Sequence, residues 1–215
     1  MNQIDEEITS LDDVVRKMAG QVEANLKYSS SVYLNYNPKV YYPEVDDAKV
    51  NAFEREVEAR CLRTLLKERL FASDMRKVTG LLYMVQDLER LGDHAQDLLE
   101  FSLKLKDGTG KDNFGVVDLM GYVIKMVTDS VSSYISRDAK AAKEVIDRDD
   151  YVDKEYLEII SRLIKADKEK SISSEFAIYT TLVVKYLERI ADHATNVAEW
   201  VIYILTGFYK DAQIV

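Results

Sequence analysis

The sequence predicts an all-α protein made of two three-helix bundles packed side by side. Three observations predict it. Only two of the 215 residues are proline, which leaves room for long unbroken helices. Apolar residues recur at the helical period along several long stretches, and no run alternates between paired turn signals as a strand would. The second half of the chain also repeats the first.

The repeat is clearest in two lines. LERLGDHAQDLLE (Leu88 to Glu100) matches LERIADHATNVAE (Leu187 to Glu199) at an offset of 99 residues. Upstream the offset is 102: VVRKMA (Val14 to Ala19) matches VVDLMG (Val116 to Gly121), and Asp47 and Asn51 match Asp149 and Asp153. The register therefore slips by three residues, and such a slip belongs in a loop, here 67–75 facing 165–174. Between the copies lies a polar run with Gly108 and Gly110, which reads as a linker. The division is then 1–107 for the first unit, 108–113 for the linker and 114–215 for the second.

Each element follows in order. The first copy reads as helices over 4–34, 46–70 and 74–105, the second as 114–138, 140–166 and 173–209. YSSSVYLNYNPKVYYPEV separates the first two helices, since Pro38 and Pro43 break a helix. Five of the fourteen tyrosines crowd there, a composition suited to rings covering one end of a bundle, or to a protein contact. The third helices carry the strongest stripe: Leu81, Met84, Leu88, Leu91, Ala95 and Leu98, matched by Val183, Leu187, Ile190, Ala194, Val197 and Val201. Ser73 and Ser173 are placed to cap them.

Composition excludes several classes of function. An excess of 38 acidic over 29 basic residues, net −9, argues against a nucleic-acid module. Cys61 is the sole cysteine, which removes disulfide frameworks and cysteine-based zinc sites and fits a reducing cytoplasm; it aligns with Leu163 and reads as a core residue. No uncharged run exceeds 11 residues, too short to span a membrane, and the acidic first residues resemble neither a signal nor a transit peptide.

The chemistry-bearing pattern is acidic. On a helical wheel Glu89, Asp93, Asp97 and Glu100 fall at about 0°, 40°, 80° and 20°, and Glu188, Asp192, Asn196 and Glu199 repeat those angles. The second helices add Asp47, Asn51, Glu54 and Glu58, then Asp149 and Asp153. Like charges at i, i+4 are mildly destabilising. Two readings stand: a solvated acidic face, or convergent carboxylates that hold hard or borderline cations. Glu54 and Glu58 have Tyr156 and Ile160 as counterparts, so copy one is expected to hold metal more tightly or to hold more ions. His94 and His193 lie between the acidic row and the core stripe, as boundary histidines. Leu91 and Ile190, three residues before them, exclude a ferritin-type Glu-x-x-His pair. No nucleophile elbow or phosphate loop occurs, so no enzyme is expected.

YLERIADHATNVAEWVIYILTG and DLERLGDHAQDLLE resemble the PhoU family of phosphate-uptake regulators. Asp47-x-x-x-Asn51 and Asp149-x-x-x-Asp153 look like its acidic signature, and Ser73-Asp74-Met75-Arg76 is similar to the stretch opening its third helix. The resemblance implies six long helices with a pseudo-twofold relation. By matching position it implies multinuclear iron or zinc clusters at Asp47, Asn51, Glu89 and Asp93, and at Asp149, Asp153, Glu188 and Asp192. Asp97 stands where Asn196 keeps the family's asparagine. It further implies a cytoplasmic negative regulator that links the ATPase subunit of a phosphate ABC transporter to a phosphate-sensing histidine kinase. Such a protein meets the membrane only through partners, and a homodimer is compatible with it. The alternatives are a metal-dependent enzyme on a helical bundle and a metal-free scaffold.

Overall fold

The computed structural model describes residues 3–67, 70–105, 114–210 and 212–213. The helices are α1 (Gln3–Asn35), α2 (Asp47–Lys67), α3 (Ala72–Lys104), α4 (Val116–Ser136), α5 (Ala139–Ile146), α6 (Asp149–Lys168) and α7 (Ser174–Thr206). A two-residue antiparallel pair follows, β1 (Phe208–Tyr209) with β2 (Ala212–Gln213). The six long helices match the six expected ones, and α1–α3 and α4–α7 form the two copies. The linker expected at 108–113 lies outside the described residues.

The apolar stripes decide the packing. Leu81, Leu88, Leu91 and Leu98 of α3 and Val183, Leu187, Ile190 and Val197 of α7 are all essentially inaccessible. They belong to one continuous core to which α1, α2, α4, α5 and α6 also contribute, so the two bundles share an interior. The broadest helix contact is α3 against α7, with α1 against α4 beside it; α2 covers the outer side of the first copy and α6 that of the second. Cys61 is fully buried among apolar neighbours, and burial pushes its thiol up to about 12, so it is an inert core residue.

The closest approach of α3 and α7 needs a glycine. A Cβ on Gly80 would lie 2.4 Å from Ile204 Cγ1 and 3.3 Å from Tyr203 Cδ1. The matching position in α7 is Tyr179, packed near Phe101 at the other end of the contact. The pseudo-symmetry is thus tight at one end and wedged by a ring at the other.

Two local expectations are corrected. The single helix expected over 140–166 is interrupted at Asp147 and Arg148, which leaves the short α5 capped by Asp138, whose carboxylate accepts from the Lys140 and Ala141 amides. The break contains neither glycine nor proline. It is held by Arg148, whose guanidinium bonds Asp129 on α4, and it places Asp149 and Asp150 at the positive end of α6. Ser173 caps α7 by accepting from Phe176 N at 3.1 Å, whereas Ser73 lies inside α3. The residue before α3 is Phe71, which offers no side-chain cap.

The segment with Pro38 and Pro43 falls where the second copy has α5. Tyr28, Tyr36 and Tyr42 pack with Val32, Val45 and Leu99, and the Tyr28 hydroxyl donates to Pro43 O at 3.0 Å. Those rings cover the end of the bundle; Tyr41 alone points to solvent, 86% exposed.

Candidate functional site

The acidic residues gather on two equivalent outer faces, α2–α3 and α6–α7. Asp47 opens α2 and Asp149 opens α6, so each motif begins at a helix N-terminus, where the dipole favours negative charge. In the first copy Asp47, Asp93 and Asp97 line one shallow hollow of about 490 Å³, together with Glu44, Arg90 and His94. Asn51 Nδ2 donates to Asp47 Oδ2 at 2.8 Å. Arg90 bridges Asp93 at 3.1 Å and Glu89 at 3.7 Å. Burial raises the Asp47 and Glu89 carboxyls, and the Asp93 charge raises both further.

The second copy pairs its carboxylates differently. Lys185 holds Glu188 at 2.6 Å, and Thr195 Oγ1 donates to Asp149 Oδ1 at 3.3 Å. Loss of water around α6–α7 raises Asp149, with Asp153 adding to the effect. Asp192 is pushed up to about 6, first by burial and then by Glu188, Asp149 and Asp153. The four carboxylates therefore feel one another, and that face repels its own charges.

Asp97 and Asn196, the third position of each row, have side-chain partners of their own. Asp97 Oδ2 lies 3.1 Å from His94 Nδ1. Asn196 Nδ2 donates to Asp87 Oδ1 at 3.0 Å, so its amide serves the α3–α7 contact. Glu199, further along, is paired with Lys210 at 3.2 Å. Among the described residues Arg90 therefore engages two carboxylates of the first row, Glu89 and Asp93, and Lys185 and Lys210 engage Glu188 and Glu199 of the second.

Asp87 was not singled out by sequence. Its carboxylate faces His193 Nδ1 at 2.8 Å and accepts from Asn196 Nδ2 at 3.0 Å and Trp200 Nε1 at 3.0 Å. Trp200 is itself stacked between Tyr83 and Tyr209. The counterpart of Asp87 is Tyr186, so no repeated motif marks it. The one signal was an acid directly before the repeated LER triplet.

The donor set suits a hard or borderline cation in kind. Its atoms are oxygens, and two buried ones, Asp47 Oδ1 and Asn51 Oδ1, have no hydrogen-bond partner among the described residues. Among those residues, however, no three carboxylate, imidazole or thiol groups converge closely enough to grip one ion.

Fold and site together define a class: a tandem-repeat helical protein with paired acidic faces. The PhoU domain model matches residues 15–102 and again 116–201. The chain belongs to the PhoU family. It is 34% identical over 167 residues to the phosphate-specific transport system accessory protein PhoU homolog of Clostridium acetobutylicum, covering 77% of this chain and 76% of that one. The Aquifex aeolicus homolog is 31% identical over 203 residues, 94% and 92% of the two chains. The crystal structure of PhoU from Pseudomonas aeruginosa superposes with a TM-score of 0.87 at 26% identity, over 96% of this chain and 100% of that one. The PhoU structure from Streptococcus pneumoniae, at 21% identity and a TM-score of 0.82, shares the fold over 98% of this chain and 100% of that one.

Proposed function

We propose that this chain is a cytoplasmic, non-catalytic accessory protein of a phosphate-specific transporter that restrains uptake when phosphate is plentiful. It does so by contacting the transporter's ATPase subunit and a phosphate-sensing histidine kinase. The observation that carries the reading is the family match across both repeats, joined to relatives named as transport accessory proteins. Among the described residues no helix is long and apolar enough to cross a membrane, so contact with the transporter runs through its subunits.

The acidic faces are the sites of cation binding in this reading. Asp47, Asn51, Glu89 and Asp93 hold metal on one face, and Asp149, Asp153, Glu188 and Asp192 hold it on the other. A bound iron or zinc cluster supplies positive charge that cancels the repulsion within each row and fixes the outer helix against the third. The chain's own part is to present oxygen donors on a rigid scaffold, since all eight residues sit on helices. Tagged protein recovered from phosphate-replete cells should retain the transporter ATPase subunit. Its absence under cross-linking, with the transporter expressed, would count against the reading.

A further inference from the structure

Far from the acidic faces, a cavity of about 450 Å³ opens at the end of the bundle where α1, the start of α3, the end of α4 and the last turns of α7 meet. In a chain of net charge −9, this cavity gathers Arg16, Arg76, Lys77 and Arg137. Two carboxylates line it, and Asp12 is already committed to Lys77 at 2.7 Å and to the Tyr134 hydroxyl. Burial drives the Tyr134 phenol pKa upward, so that ring stays neutral. Asp74 remains. Among the described residues none of Arg16, Arg76 and Arg137 has a carboxylate within ion-pair distance, and the buried Nε of Arg76 has no hydrogen-bond partner.

Four cations against two carboxylates leave an excess of two positive charges in the cavity. That excess matches a phosphoryl group, which carries about −1.5 to −2 at neutral pH, better than a single carboxylate. Guanidinium groups are suited to the task because their planar forks pair with phosphate oxygens. The uncapped N-terminus of the 33-residue α3 adds amides and a favourable dipole at the same end. Ile8, Val201 and Leu205 line the rest, an apolar wall that inorganic phosphate does not use.

Of the three described non-glycine residues at positive φ, Arg137, Lys170 and Lys210, Arg137 is the one that lines this cavity. It ends α4 in the left-handed conformation, φ 55° and ψ 43°, where α7 uses Gly207 at φ 85°. A glycine takes that conformation without strain, and an arginine does not. We propose that this cavity binds a small organic phosphate, its phosphoryl group held by Arg76, Arg16 and Arg137 and its apolar body resting on α1 and α7.

Calorimetric titration of the full chain, stripped of metal by chelator, tests this with phenyl phosphate, inorganic phosphate and phenol. Phenyl phosphate should bind one to one and more tightly than inorganic phosphate, with phenol giving no saturable heat. Arg76→Gln should weaken binding about tenfold, the effect of losing one charged hydrogen-bonding partner. Arg137→Gly should weaken binding and at the same time raise the thermal midpoint, a pair of changes that a structural role does not produce. No saturable binding of phenyl phosphate, or affinity unchanged in Arg137→Gly, overturns the proposal even if Arg76→Gln fails to fold. Neither result touches the regulatory reading, which rests on the family match across both repeats.

Discussion

His94 and His193, the same position in the two repeats, face each other with ring centroids 5.4 Å apart. Equivalent residues in contact lie beside the pseudo-twofold axis, so the axis passes between the two imidazoles. Their surroundings differ. His193 faces the carboxylate of Asp87, whereas His94 packs on the ring of Tyr186, the residue that replaces Asp87 in the second copy. Burial lowers the His94 pKa, with the His193 and Arg189 charges acting the same way against Asp97.

Asp87→Ala should therefore be costly. It removes the acceptor of Asn196 and Trp200 and the partner of His193, and leaves their polar groups unpaired in the partly buried α3–α7 contact. The expected loss is about 3 kcal/mol, from one or two charge-assisted hydrogen bonds. Urea unfolding followed by Trp200 emission measures it directly, because Trp200 is the only tryptophan and sits at that contact. A loss well under 1 kcal/mol would sink the assignment of Asp87 as the clamp.

Gly80→Ala should destabilise despite the better helix propensity of alanine. The gain of about 1 kcal/mol from propensity is outweighed by a Cβ placed 2.4 Å from Ile204 Cγ1, with overpacking costing about 1–3 kcal/mol. Ile204→Ala in the same chain should recover part of the loss. A stabilised single variant, judged by thermal unfolding, contradicts the close helix approach.

Much of this was legible in sequence, and the failures have physical reasons. The α3 and α7 stripes were readable because a helix buried along one face repeats its apolar residues at the helical period. The acidic faces were readable because both copies keep them. The break at Asp147 and Arg148 was not, since it depends on Arg148 reaching Asp129 on another helix rather than on a local breaker. Asp87 escaped because repetition cannot flag a residue that the other copy replaces. The arginine cavity draws on four helices, and no spacing along the chain reveals such a gathering.

Asp192 gives a pH test. Its carboxyl titrates at about 6 in the folded chain against an ordinary 3.8, so the folded state holds the extra proton between those values. Stability of the metal-free protein should fall as pH rises through that window. Asp192→Asn should then stabilise at pH 7 by about 1 kcal/mol, discounted because Asp192 is exposed by area and solvent screens its charge. The gain should vanish below pH 4. Equal stabilisation at pH 3.5 and pH 7 would show that charge repulsion is not the cause.

Metal retention should favour the second face. Arg90 competes for Glu89 and Asp93 in the first copy, while among Asp149, Asp153, Glu188 and Asp192 of the second Glu188 alone is ion-paired among the described residues, with Lys185. Asp192→Ala should remove more bound iron or zinc than Asp93→Ala, the reverse of what carboxylate counting along the sequence suggests. Arg90→Gln should narrow the difference. Elemental analysis at matched purity decides, and greater loss from Asp93→Ala would restore the sequence expectation.

Restraint of phosphate uptake is the role proposed for this chain. The most direct test is labelled phosphate accumulation by phosphate-replete cells with and without the protein, the deletion complemented by the intact chain. Cells without the protein should accumulate phosphate without restraint, or express phosphate-starvation genes at high phosphate, and complementation should reverse this. Normal uptake and normal gene output in a clean deletion, with the transporter present, would contradict it.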